Sequence, residues 1–345
     1  MSKPPSASKA KNTTMKEVAA LADVSLMTVS RVLNKDPKVT EETRNRVMAA
    51  VEKLNYRVNV SARSLSGTQS YLMGFFYDNS VGSFISEYLI GTLKRCNELG
   101  YQLVIEQCPY QEANLEEHIK HLASRYDLDG IIIPPPLCDD LPLLNALDKA
   151  GLRYVRVGPG LELDRSSYVT IDDYRATFEM TELLIQRGHK HIGFIKGDAH
   201  QGVSEVRFKG YCDAIKKHRL ELNENFITEG NFSFASGMIA AEKLLQHSEL
   251  TAIFASNDDM AAAVVAVAHR KHIEIPQQLA VVGFDDTNIA TTIWPQLTTV
   301  QQPIKNMAIA AVDLLIEKIK AETLLDIKVK NNRTLDYTII ERESV

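Results

Sequence analysis

Cysteine is scarce in this chain: Cys96, Cys108, Cys138 and Cys212 stand far apart in 345 residues, with no CxxC pair and no flanking histidine cluster. That spacing excludes a disulfide framework and the usual zinc sites, and predicts free thiols in a reducing compartment. Long hydrophobic runs are also missing. The longest, Met260 to Ala268, is far too short to span a bilayer. The first twelve residues are polar, with Pro, Ser and Lys and no apolar leader stretch, so residues 1–13 read as a disordered arm and the protein as cytoplasmic, with no membrane partner. Catalytic signatures are absent too: there is no GxSxG, no P-loop and no metal-ligand spacing. Gly158-Pro159-Gly160 follows a strand-like run but lacks a third glycine, and its proline interrupts the helix start that a dinucleotide site needs. An enzyme is therefore not expected, nor a cofactor, a metal or a catalytic residue.

The net charge of −5 argues against nucleic acid as a partner, but its distribution argues for it. Residues 1–70 hold 12 Lys/Arg against 6 Asp/Glu, a net of +6, whereas the remainder holds 27 against 38, a net of −11. A basic head on an acidic body concentrates phosphate affinity in one small region.

Within that head, residues 14–34 read as two short helices joined by a tight turn. Thr14 and Glu17 have the spacing of a capping box, which starts a helix at Met15. Val18, Leu21 and Ala22 fall on one face. Asp23 suits a left-handed turn position, and Ser25 caps the second helix. Val24, Val29, Val32 and Leu33 face inward from it, leaving Leu26, Met27, Ser30 and Arg31 outside. A helical hairpin at the edge of an enzyme shows the same pattern, but here it sits in the basic segment. The reading is a helix-turn-helix whose second helix enters a major groove. A third helix is predicted from Glu41 to Leu54, capped by Thr40, with Val47, Met48, Val51 and Leu54 on its buried face. A short helical stretch from Val60 to Ser66 is too brief to be stable alone and needs a partner to order it.

From Tyr71 onward, strand-like runs alternate with amphipathic helical segments. The strands are predicted at 72–77, 103–106, 130–133, 154–157, 168–171, 192–195, 252–255 and 279–284, and near Tyr337. The helices are predicted at 84–99, 115–125, 176–187, 206–218, 236–246, 259–271 and 304–320. This order implies parallel sheets built from right-handed crossovers. The run is too long for one open sheet, so the expected fold is a helical headpiece plus an α/β core of two doubly wound parallel-sheet lobes with a ligand cleft between them.

The pattern resembles one family closely, the lactose/galactose repressor (LacI/GalR) transcription regulators. The resemblance rests on Val24-Ser25 with Thr28 to Asn34, Asn55-Tyr56, Ala62 to Leu65, Arg187-Gly188-His189, Arg207 with Gly210, Ser256-Asn257-Asp258 with Met260-Ala261, Val282 to Asp286, and Pro295 with Leu297 to Val300 and Gln302-Pro303. It covers about Thr14 to Glu341, and the joint occurrence in this order is specific. It implies a headpiece over 14–58, a hinge helix and linker over 59–70, and a core of periplasmic-binding-protein type over 71–345. The N-lobe would be about 71–171 and 303–332, and the C-lobe about 172–302 and 333–345, with crossings near Ile171–Asp172, Gln302–Pro303 and Arg333. A solute-binding protein would share that core but not the helix-turn-helix.

The resemblance also implies the site residues. Leu26 and Met27 stand where the family reads bases; both are apolar here and would favour a thymine methyl. Arg31 suits a bidentate contact to guanine, and Ser25, Thr28, Ser30 and Asn34 suit phosphates. Thr14, Asn59, Ala62 and Arg63 complete the DNA-facing set, and Leu65 would enter the minor groove as a wedge. Val58 departs from the proline frequent before the hinge, so hinge folding is expected to depend more on DNA. In the cleft, Phe84 and Phe232 offer flat faces to a pyranose or purine, while Arg207, Asn257, Asp285 and Gln302 offer polar contacts. Arg156 is a second departure: a carboxylate is common there, and a guanidinium would suit an acidic sugar, a sugar phosphate or a differently oriented glycoside. The implied protein is a repressor of carbohydrate catabolic genes. It binds a palindromic operator as a homodimer and is controlled by a sugar, glycoside or sugar derivative. The absence of a leucine-heptad tail favours the dimer over a tetramer. Inducer and co-repressor are both compatible with the sequence, as is control by a phosphocarrier protein, known within the family.

Overall fold

The computed structural model describes residues 13–33, 36, 38–54, 56, 69–78, 82–109, 114–325 and 331–345. The chain divides into two compact units, Met1–Ser70 and Tyr71–Val345.

The first unit is three helices, α1 (Met15–Ala22), α2 (Leu26–Leu33) and α3 (Glu41–Lys53). The capping box starts α1: Thr14 Oγ1 accepts from the Glu17 amide, and the Glu17 carboxylate accepts from the Thr14 amide at 2.6 Å. Asp23 ends the helix at φ 50°, in the left-handed region, and Ser25 Oγ caps α2 by accepting from the Thr28 amide at 3.1 Å. Val18, Ala19, Ala22, Val29, Val32, Val47, Ala50 and Tyr56 form the core of this unit. Each fully buried valine contributes roughly 1.5 kcal/mol or more. Two expectations fail here. Leu21 and Met48 are exposed, and the small residues Ala19 and Ala50 take the interior instead, because helices this short pack closely where alanine faces alanine or valine. Val24, Leu33, Val51 and Leu54 pack as half-buried flanks. Asn34, Asn59, Ala62, Arg63 and Leu65 lie outside the described residues, as do Val58, the hinge stretch and residues 1–12 of the arm.

The second unit carries two six-stranded sheets. Its elements in chain order are β1 (Leu72–Tyr77), α4 (Ser83–Glu98), β2 (Gln102–Gln107), α5 (Leu115–Arg125), β3 (Gly130–Ile133), α6 (Leu141–Lys149), β4 (Tyr154–Val157), β5 (Tyr168–Ile171), α7 (Asp173–Gln186), β6 (Ile192–Ile195), α8 (Gly202–Lys217), β7 (Ile227–Thr228), α9 (Phe234–Leu244), β8 (Ala252–Ala255), α10 (Asp258–Arg270), β9 (Ala280–Asp285), α11 (Asn288–Thr292), β10 (Thr298–Gln301), α12 (Ile304–Leu325), β11 (Asn332–Leu335) and β12 (Thr338–Ile340). The first sheet runs β11-β5-β4-β3-β1-β2 and the second β12-β10-β9-β8-β6-β7. Every described pairing is parallel except β10 with β12.

Strands buried on both faces need continuous apolar runs, which is why Ile131–Ile133 and Ala252–Ala255 are wholly buried. The longest apolar run, Met260–Ala268, lies within α10, which packs between α9 and strands β8 and β9. It is a core helix, and no described helix is long and apolar enough to cross a membrane. Five of these elements had no counterpart in the sequence reading: α6, β7, α11, β10 and β11.

The chain passes between sheets three times. It leaves β5 at Asp172, returns at Gln302–Pro303 into α12, which packs against β3, β4, β5 and α4, and passes again between β11 and β12. The last crossing therefore falls at Asp336–Tyr337 and not at Arg333. Arg333 sits inside β11, in register with Val169 of β5, where ladder hydrogen bonds hold it in the first sheet. The first lobe thus extends to Leu335.

Candidate functional site

Two regions gather the functional side chains. In the helical unit, the first turn of α2 presents apolar side chains to solvent: Leu26 is 43% and Met27 66% exposed. A protein interior would have taken them, so this face is shaped for a surface that is not part of the unit. Arg31 is exposed one turn further on, its Nε 3.9 Å from the Asp36 carboxylate, a contact loose enough to release. The Ser25 and Thr28 hydroxyls bond each other at 2.9 Å beside the cap, and Ser30 is half-buried. Thr14 is engaged in its capping box.

In the two-lobed unit, a cavity of about 300 Å³ opens between the sheets, at the lower end of the range for small-molecule sites. It lies beyond the carboxyl ends of the parallel strands, where open α/β sheets bind ligands. Phe84, Arg207, Phe232, Asn257, Asp285 and Gln302 all line it.

Arg207 projects from α8 and anchors the polar wall. Its Nε donates to Asp173 Oδ1 at 2.8 Å and its Nη1 to the Ser256 carbonyl at 2.6 Å, while the guanidinium stacks 3.6 Å over the Phe284 ring. Nη2 has no hydrogen-bond partner among the described residues. Asp285 ends β9 at φ 112°, a strained position of the kind that clusters at binding sites. One of its oxygens accepts from Gln302 Nε2 at 2.7 Å. Burial pushes its carboxyl up to about 7, against the opposing pull of Arg207 and Gln302, with the Asp259 and Asp173 charges adding to the rise. Burial likewise raises Asp173, checked by Arg207, and Asp259.

Asn257 is more occupied than expected. Its Oδ1 caps α10 by accepting from the Met260 amide at 3.0 Å, and its Nδ2 donates to the Phe232 carbonyl at 2.8 Å. One amide hydrogen remains. Phe232 itself holds a left-handed φ of 63°, and its ring occupies the space that a side chain on Gly197 would fill.

Arg156 corrects the sequence reading. It lies in β4, does not line the cavity and is fully buried. Its guanidinium donates to Ser166 Oγ and to the carbonyls of Cys138, Leu161 and Glu162, at 2.6 to 3.3 Å. Every donor group is spent inside the lobe, so the residue gives no support to an acidic ligand.

Sequence reasoning missed Asp173, Asp259 and Gln201, which also line the cavity. The signal for the two carboxylates was a doubled polar residue at a helix start. Asp172 caps α7 and Asn257 caps α10, which leaves a following Asp with no capping role. Asp258 is a different case: it is buried behind the cleft, accepting from the Thr287 amide and the Thr299 hydroxyl.

Residues 14–59 match the bacterial regulatory proteins of the lacI family, and residues 181–345 match the periplasmic binding protein-like domain. Over 311 residues the chain is 33% identical to the HTH-type transcriptional repressor PurR of Vibrio atlanticus (strain LGP32), covering 89% of this chain and 92% of that one. This chain belongs to the LacI family of bacterial transcriptional regulators. The ribose operon repressor of Escherichia coli (strain K12) is 32% identical over 315 residues, covering 90% and 94%. Among solved structures, the transcriptional regulator CelR in complex with cellobiose superposes with a TM-score of 0.73 at 28% identity, covering 96% of this LacI-family chain and all of the other. The family fold is a helix-turn-helix unit followed by a two-lobed α/β core, and the family's function is DNA-binding transcriptional regulation by a protein whose core takes an effector. The relatives are transcriptional repressors and not enzymes.

Proposed function

We propose that this LacI-family regulator represses carbohydrate catabolic genes as a homodimer on a palindromic operator, and that a neutral, hydroxyl-rich ligand in the interlobe cleft sets its affinity for DNA. The observation that carries the ligand class is the charge of the cavity wall. Arg207 is the only described cation lining it, and that cation is paired with Asp173, while Asp259 adds a further carboxylate and Asp285 another as it ionises near pH 7. A phosphate or carboxylate on the ligand would be repelled there. Adjacent hydroxyls donate well to carboxylates and accept from a free guanidinium N–H, and Phe84, Phe232 and Phe234 supply flat apolar faces. The cellobiose in the similar CelR structure supports a sugar.

On the DNA side, Arg31 reads guanine, Leu26 and Met27 contact thymine methyls, and Ser25, Thr28 and Ser30 meet phosphates. Thr14 steadies α1 at the backbone. The protein acts in the cytoplasm and carries no catalytic chemistry.

Selection of duplexes from a random pool by the purified chain, followed by a screen of neutral sugars, amino sugars, uronates and sugar phosphates for ligands that change that binding, tests both halves. An enriched palindrome whose binding responds to a neutral sugar is expected, with affinity falling steeply as salt rises. A flat salt response, or a sugar phosphate as the best ligand, overturns the corresponding half.

A further inference from the structure

At one edge of the cleft the two lobes touch through backbone. Asp139, at the end of the 3-10 turn Leu137–Asp139 that follows β3 in the first lobe, accepts three amide hydrogen bonds. Two come from its own lobe: Gly160 N lies 3.0 and 3.1 Å from the two carboxylate oxygens, and Leu161 N is 3.1 Å from Oδ1. The third comes from the other lobe, where Gly202 N, at the start of α8, donates to Oδ2 at 2.8 Å. Gly160 and Gly202 meet face to face beneath this carboxylate. A methyl group on Gly202 would stand 2.5 Å from the Gly160 backbone, and one on Gly160 would approach Gly202 more closely still. No side chain fits there while the lobes are in this arrangement.

The placement of Arg156 now has a reason. Its buried guanidinium holds the Leu161 and Glu162 carbonyls and the Cys138 carbonyl, 3.9 Å from the Asp139 carboxylate. It braces both pieces of the first lobe that form this contact. The contact also adjoins the cavity on both sides. Pro136 and Gly158 from one lobe, and Gln201 and Val203 from the other, line the cavity within three residues of Asp139, Gly160 or Gly202. A ligand there presses on the segments that carry the contact.

We propose that Asp139 with the Gly160–Gly202 pair is a latch that holds the lobes closed at this edge, and that Asp139 is a positioning residue through which cleft closure reaches the DNA-binding response. The regulatory half rests on the function proposed above; the latch itself does not. A backbone pair closed by one charged acceptor has two discrete states, bonded or parted, as a coupling element requires.

The test is a pulsed electron paramagnetic resonance distance between spin labels on Glu117→Cys in the first lobe and Lys243→Cys in the second. It uses the full-length chain in a Cys212→Ser background, diluted with unlabelled protein. Gly202→Ala acts from the second lobe and leaves the Asp139 loop intact, so it remains informative if Asp139→Ala fails to fold. Both variants are expected to shift the distribution to longer distances, with Asp139→Asn intermediate. If Asp139 only braces its own loop, the distances stay unchanged in folded Gly202→Ala and Asp139→Ala, and the latch is overturned. The same variants should change the dissociation constant for the selected duplex on the order of tenfold, the effect of one charge-assisted hydrogen bond. Longer distances with unchanged DNA affinity would overturn the regulatory half alone. If the parent chain enriches no duplex either alone or in a cell extract that supplies a co-repressor, the DNA reading fails while the distances still decide the latch.

Discussion

The two lobes of the core have the same strand order and opposite walls. Each sheet places its sequence-first strand second from one edge and proceeds outward through three parallel neighbours to a late-arriving edge strand. Yet the first lobe faces the cavity with Phe84, Ile85, Pro135, Pro136 and Met307, whereas the second faces it with the charged and amide groups of Asp173, Arg207, Asn257, Asp259 and Asp285 beside Phe232 and Phe234. Even the arginines divide this way. Arg156 of the first lobe is consumed by its own loop, and Arg207 of the second keeps a free donor in the cleft. One topology therefore supports a largely apolar surface on one side and, on the other, a wall that combines hydrogen-bonding groups with aromatic faces.

The contrast is sharpest for the two arginines. Arg156→Ala should cost about 3–5 kcal/mol of stability, because two buried and two part-buried acceptors lose their donor and a fully buried side chain leaves a void; a shifted urea midpoint measures it. A variant as stable as the parent would mean that the first lobe does not depend on this network. Arg207→Lys should do the reverse. Lysine can still pair with Asp173 but loses the fork and the stack on Phe284, so affinity for the sugar recovered in the screen should fall about 10–100-fold with little change in the urea midpoint. Calorimetric titration beside the melt separates the two effects.

Asp285 gives a pH-dependent version of the comparison. Its carboxyl is raised from 3.8 to about 7 by burial. Its neutral form therefore contributes stability that is fully present below about pH 4 and is lost as pH rises through 7. Asp285→Asn keeps the acceptor for Gln302 and should be on the order of 2 kcal/mol more stable than the parent at pH 8, with the gap closing toward pH 4. Its ligand affinity should fall. An unchanged gap across that range would show that burial does not govern this group. The smallest effect belongs to the apolar face of the first lobe: Phe84→Ala should weaken sugar binding by about 0.5–1.5 kcal/mol, a several-fold rise in dissociation constant. A larger loss than that of Arg207→Lys would reverse the assignment of the walls.

The strands and helices that repeat a strong local pattern were legible. Six predicted strands, 72–77, 130–133, 154–157, 168–171, 192–195 and 252–255, carry the observed bounds, as does the helix 115–125, because a fully buried parallel strand is a continuous apolar run with abrupt polar ends. The two-residue β7 and the polar Thr298–Gln301 of β10 offered no such run. Ladder hydrogen bonds, which any backbone can make, decide them. Leu21 and Met48 were misplaced for a related reason: periodicity marks a face, but which part of it is covered depends on how closely the neighbouring helix approaches.

For the site, the sequence by itself determined the chemical types: an exposed apolar pair at the start of a capped helix, one basic headpiece, and a cleft holding arginine, aspartate and phenylalanine. Only the tertiary structure decided which of these groups still have a free valence. Arg156 and Arg207 are indistinguishable as letters in amphipathic surroundings. One is surrounded by carbonyls from the chain that folds back over it, and the other is left with a partnerless Nη2, because hydrogen-bond saturation is a property of what packs around a side chain and not of the side chain itself.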